Sequence, residues 1–158
     1  MHGIPMFIMY TGTELAKSLS TFGIIEKAEV LKTAEKYAEI LEKDFFNIAC
    51  NKPYNAEMIG PSSMADTLLF RHLTPGHTLE CLWFYIHHKD YLNTEKANSS
   101  VYISRSDSLG RYALEKGWDE KYGGIFRYVD CEGGEPHGRL TGNVLEKSII
   151  STWETKLW

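Results

Sequence analysis

The stretch "TPGHTLECLWF", residues 74–84, sets His77 on the first turn of what the spacing predicts is an apolar helix, with Glu80 three residues on. Positions i and i+3 share a helix face, so imidazole and carboxylate could point together into a cavity at a helix N-terminus. A pairing of this kind has a catalytic reading, although His-x-x-Glu is short and recurs by chance. The same residues have a structural reading: Thr74 as N-cap, Pro75 at the first helical position, and Glu80 as a first-turn acid favoured by the helix dipole. The spacing alone does not choose between them.

Other candidate groups are less convergent. His87 and His88 are adjacent, and neighbours diverge on a helix, so they make a poor metal clamp and are expected to face solvent or be partly buried. His137 follows Gly133 and Gly134 and is expected in an exposed loop, while Trp83 is expected in the core. No group has metal-ligand spacing and no phosphate loop appears, so neither a metal nor a cofactor is expected. Cys50, Cys81 and Cys131 are odd in number and not paired as in a zinc site, which fits a reduced, cytoplasmic setting.

Helices must position these groups. Pro5 and the apolar residues after it predict a first helix over about 5–20, and Ile24, Ala28, Leu31, Ala34, Ala38, Leu41, Phe45 and Ile48 recur at three- and four-residue steps in a second. From Asn51 to Pro75 the pattern dissolves into a long loop in which "AEMIG" and "TLLF" read as short strands. Helices follow over about 76–92 and 100–116. Ile125, Tyr128 and Val129 then show period two between glycine pairs, a strand or small hairpin, before "NVLEKSIISTWETKLW" returns to helical spacing. The result is about five helices in antiparallel pairs, an all-α class with short strands in the loops, and no strand-helix-strand alternation.

At 158 residues, 43% of them hydrophobic, the chain has material for one domain over 1–158. A net charge of -4 without a basic run argues against nucleic acid as a partner. The apolar opening "MHGIPMFIMY" lacks the positive flank of a signal peptide and the length of a membrane span.

Three ordered motifs, "TPGHTLECLWF", "KGWDEKYGGIFRYVD" and "TWETKLW", resemble the N-acylglucosamine 2-epimerase family, whose relatives include cellobiose 2-epimerases and mannose-type aldose-ketose isomerases. "GIPMFIMYTGTEL" is similar to the family's Pro-Met-rich helix, and "FRHLTPGH" resembles its Gly-Arg-x-x-Asn-Pro-Gly-His stretch. The resemblance implies an (α/α)6 barrel, a sugar as the small-molecule partner, and proton abstraction at C2 of an open-chain sugar through an enediolate-like intermediate. It assigns the catalytic histidine to His77 and its acidic companion to Glu80. Arg71 is the candidate to meet charge on the sugar oxygens, or else pairs with an acid such as Asp66. Trp158, matching the first of two family tryptophans, would stack on a sugar ring.

The motifs correspond to a middle section of the family's barrel. An N-terminal arginine, the second tryptophan and a second acid/base histidine of the family have no counterpart, so a truncated barrel is expected. It would associate with a complementing fragment or as a homo-oligomer. A sugar-binding remnant without activity and an aldose-ketose isomerase are the alternative readings.

Overall fold

The computed structural model describes residues 1–23, 27–49, 52–93, 99–142, 147 and 156–157. It is mostly helical, as the periodicity implies. Helix α1 spans Gly3–Thr21 and buries Met6, Met9, Thr13 and Ala16, one stripe at three- and four-residue steps. Pro5 falls in its first turn, where a missing N–H costs no intrahelical bond. Helix α2 spans Lys27–Ile40 and lies close against α1: a methyl group on Gly12 would meet the Ala34 Cβ at 3.1 Å.

The apolar stripe expected to run as helix through Ile48 ends earlier. Residues Leu41–Phe45 form a single wide π turn, and strand β1 (Phe46–Ala49) follows, paired antiparallel with β2 (Lys52–Asn55) in the register Phe46 to Asn55. Arg105 closes the helix by donating to the carbonyls of Glu42, at 2.8 Å, and Phe46. "TLLF", expected as strand, is the short helix α3 (Leu68–Arg71), and "AEMIG" is irregular rather than strand. Strand β3 (His72–Leu73) then leads into α4 (Pro75–Asn93), and α5 spans Ser99–Gly117.

The period-two region holds β4 (Ile125–Phe126) and β5 (Val129–Asp130), but these do not pair as a hairpin. β5 pairs with β3, and β4 with β6 (Lys156–Leu157), from the segment expected to be helical; the rest of that segment, apart from Lys147, lies outside the described residues, as do Cys50 and Trp158. The turn before β4 follows the sequence: Gly123 and Gly124 take positive φ while the Asp119 carboxylate accepts the N–H groups of Lys121 and Tyr122.

Helix directions follow from side-chain contacts. α5 runs antiparallel to α4: Tyr102 donates to Asp90, Gly110 lies against Leu82, and Gly117 against Pro75. α1 runs parallel to α4, since Gly3 neighbours His77, Tyr10 stacks on Phe84 with centroids 3.9 Å apart, and Ser20 bonds Tyr91. The main core, including Met6, Met9, Leu41, Phe45, Cys81, Phe84, Tyr85 and Leu109, fills the space between these helices. Among the described residues, no helix is long and apolar enough to cross a membrane.

Two side chains correct the sequence reading of α4. His88 is fully buried, its Nδ1 2.7 Å from Thr13 Oγ1 of α1, because it falls on the face that α1 covers. Trp83 is 59% exposed instead of core, sharing an outward stripe with Glu80 and His87 at i+3 and i+7 spacing. Cys131 is disulfide-bonded, against the expectation of reduced cysteines, while Cys81 is free and buried.

Candidate functional site

His77 stands where the sequence places it, on the first turn of α4. Thr74 precedes the helix and its carbonyl accepts the Thr78 N–H at 2.9 Å; Pro75 opens the helix and packs under Gly117 at the end of α5. A Cβ on Gly117 would come within 2.5 Å of the Pro75 ring, so the two helix ends meet with no room to spare and hold the first turn of α4 in place.

The carboxylate beside His77 is Glu57, however, not Glu80. Both Glu57 oxygens lie 3.3 Å from His77 Nδ1, whereas Glu80 is exposed on the outward stripe. Glu57 sits two residues beyond β2. The hairpin carries it there, with the Ala56 N–H continuing the pairing onto the Phe45 carbonyl at 3.0 Å. A third element closes on the same carboxylate from the start of α1. The His2 N–H donates to the Glu57 carbonyl at 3.0 Å, and His2 Nδ1 lies 3.1 Å from Glu57 Oε2, near enough for an ion pair although off the line of a hydrogen bond. His2 is fully buried, and its ring lies against that of His77 with centroids 4.4 Å apart.

The electrostatics follow from this packing. Burial works against ionisation of Glu57, but contacts to His2 and His77 outweigh it and hold the carboxyl well below the usual range. The Glu57 contact raises the proton affinity of His77 above the ordinary imidazole value against the opposing effect of burial, and the charge of Glu80 adds a smaller contribution. His77 remains 27% exposed, compared with 7% for Glu57 and none for His2. With its Nδ1 turned to the carboxylate, His77 keeps Nε2 as the nitrogen able to exchange a proton. Gly3 borders that edge of the ring: a Cβ on it would lie 3.4 and 3.6 Å from Cε1 and Nε2, in ordinary contact.

His2, Glu57 and His77 also bring three potential metal-ligating atoms within 4.8 Å of one another, as do Asp130, Glu132 and His137. Imidazoles that share an ion radiate from it, but His2 and His77 lie against each other, the arrangement of two bases on one carboxylate. The second group is already filled by Arg71.

Arg71 lies in that neighbouring network. Its Nε and Nη2 grip both oxygens of the buried Asp130 at 2.9 and 2.7 Å, and Nη2 also meets Glu132 at 2.8 Å. The first of these bonds is the chief reason its guanidinium is held even more firmly protonated than usual. Asp66, the partner anticipated from sequence, pairs with Arg139 instead. His137 is exposed as expected and leans on Asp130 at 3.2 Å. A cavity of about 440 Å³ opens beside the Glu57 loop, but its wall holds Ala56, Met58 and Ile59 and neither Glu57 nor His77.

The sequence singles out His77 but not Glu57 and His2, the side chains that the structure sets beside it. The one local signal for Glu57 is a lone acid among apolar neighbours, Ala56, Met58 and Ile59; nothing local marks His2.

The family model for N-acylglucosamine 2-epimerase (GlcNAc 2-epimerase) matches residues 24–141. The N-acylglucosamine 2-epimerases of Mus musculus and Bos taurus are each 31% identical to this chain over 90 residues, 57% of its length and 18% of theirs. The aligned part of the chain therefore spans less than a fifth of either relative.

Proposed function

The chain belongs to the N-acylglucosamine 2-epimerase family, and on that premise we propose that it is a sugar 2-epimerase domain in which His77 moves the proton at C2 of an open-chain sugar. The observation that carries this reading is the His77–Glu57 pair: a partly exposed imidazole at a helix N-terminus, one nitrogen anchored on a buried carboxylate and the other not engaged by it.

In the reaction, His77 Nε2 takes the C2 proton and the C–H electron pair moves to form C1=C2 while the C1 carbonyl pair moves onto O1, giving an enediolate. Glu57 stabilises the imidazolium without itself being protonated. Return of the proton to the opposite face of C2 gives the epimer. Transfer of the O2 hydrogen to O1, followed by return of the proton to C1 with electrons flowing back from O2, gives the ketose. A positioned base contributes roughly 10² to 10⁴ in rate to such a step. Arg71, saturated by Asp130 and Glu132, acts in this reading as a brace for the β3–β5 junction, and the enediolate oxygens meet another donor.

A second reading, aldose-ketose isomerisation, is favoured by the burial of His2: among the imidazoles of this cluster, His77 alone is open to a substrate, and transfer between C2 and C1 on one face needs one base. The (α/α)6 barrel is likewise a proposal. Two antiparallel hairpins, α1–α2 and α4–α5, whose first helices are adjacent and parallel, form the repeat from which such a toroid is built, with His2 and His77 at the same end of the inner pair.

The test is incubation with mannose, glucose, N-acetylmannosamine and cellobiose in deuterated water, with NMR detection of label at C2 and of any epimer or ketose. The wild-type chain exchanges the C2 hydrogen of at least one sugar and His77→Ala does not. Exchange no greater than in His77→Ala for every sugar would overturn the proposal in favour of an inactive, sugar-binding role.

A further inference from the structure

We infer that His2 is a positioning residue for His77, acting through the carboxylate that the two imidazoles share and limiting how much of the Glu57 charge His77 receives. His2 lies ahead of the span matched by the family model. It is fully buried, its backbone N–H is bonded to the Glu57 carbonyl at 3.0 Å, and its Nδ1 is 3.1 Å from Glu57 Oε2, so it cannot leave the carboxylate without unpacking the start of α1. His77 faces the same carboxylate from α4 at 3.3 Å, and the rings are 4.4 Å apart. An imidazole that contributes positive character to Glu57 leaves less negative potential for the other; remove it, and His77 faces the whole charge.

The surrounding titratable groups leave this balance to the three residues. Burial keeps the Tyr54 hydroxyl of β2 and the Cys81 thiol of α4 protonated and His72 of β3 neutral, and Glu80 on α4 is turned to solvent. A base must be deprotonated to act, so by restraining the proton affinity of His77, His2 extends its working range toward lower pH.

The catalytic consequence rests on the proton-transfer reading of His77; the coupling itself does not, and the experiment separates them. In ¹⁵N-histidine-labelled protein, NMR titration without sugar follows His77. In Glu57→Gln its proton affinity falls, because the carboxylate that raises it is gone. His2→Phe, which fills the space without a nitrogen, raises the proton affinity of His77 on the order of tenfold, whereas His2→Gln, which keeps a polar amide beside Glu57, stays within about twofold of wild type. Should His2→Phe fail to fold, His2→Leu, equally without a nitrogen, takes its place with the same expected shift. A folded His2→Phe or His2→Leu with an unchanged His77 titration would overturn the inference. Where C2 exchange is measurable, its acid limb moves to higher pH in His2→Phe. An absence of exchange in every variant, with the titrations as stated, refutes the sugar chemistry and leaves the coupling intact.

Discussion

Acidification provides a quantitative test of how α1 is locked to α4, the contact that brings His2 to His77. Thr13 gives its hydroxyl proton to the Met9 carbonyl at 2.8 Å, so its oxygen accepts from His88 Nδ1–H at 2.7 Å and fixes that tautomer. Protonation must then occur at Nε2, which is buried with no hydrogen-bond partner. Burial, helped by the neighbouring Lys89 charge, pushes the His88 pKa down from 6.5 to about 4. The unfolded chain therefore binds this proton more readily than the folded one. The stability contribution is complete above about pH 6.5 and is lost as pH falls toward 4. At about 1.4 kcal/mol per unit, the loss across that window is about 3 kcal/mol. His88→Gln keeps an amide donor for Thr13 and cannot titrate. Urea unfolding of both proteins at several pH values, taken as a difference, cancels the other groups. The wild type should lose about 3 kcal/mol relative to His88→Gln between pH 7 and 4. Parallel pH profiles for the two proteins would refute the buried, neutral His88 and the helix contact deduced from it.

Other perturbations address the site more directly. Glu57→Gln removes a charge-assisted partner worth about 1.5–3 kcal/mol and should lower the proton affinity of His77 by one to two orders of magnitude, read by NMR titration, whereas Glu80→Gln should change it less than about threefold. Asp130→Asn leaves Arg71 facing a neutral amide and should cost about 2–3 kcal/mol in denaturant unfolding while leaving the His77 titration unmoved; a moved titration would tie Arg71 to the site. Gly117→Ala drives a methyl into the Pro75 ring and should destabilise by about 1–3 kcal/mol in thermal unfolding, and a neutral outcome would show that the start of α4 is loosely held.

The legible part of the fold was the part governed by local periodicity. α1, α2, α4 and α5 each repeat an apolar stripe at helical spacing, and Gly123 and Gly124 supply the positive φ their turn requires. Long-range pairing decided what periodicity could not. β1 begins at Phe46 because Asn55 and Arg105 meet it there, against a helical pattern that continues to Ile48. "TLLF" has a strand-like composition but forms one helical turn ahead of β3. At the site, His77 was visible because its motif is contiguous. Glu57 and His2 lie 20 and 75 residues away, and they reach His77 through hairpin geometry and parallel helix packing that no sequence window contains. Glu80 looked like the partner because i+3 spacing guarantees a shared face; it does not guarantee that the face is turned inward.

The central claim is that His77, anchored by Glu57, exchanges a sugar C2 proton. The most direct measurement is the initial rate of deuterium incorporation at C2 for wild type, His77→Ala, Glu57→Gln and Glu80→Gln under one set of conditions, with folding of each checked by circular dichroism. The wild type should incorporate deuterium, His77→Ala none above background, Glu57→Gln about ten- to a hundredfold less, and Glu80→Gln within about threefold of wild type. Wild-type incorporation equal to that of His77→Ala, or a larger loss from Glu80→Gln than from Glu57→Gln, would contradict the claim.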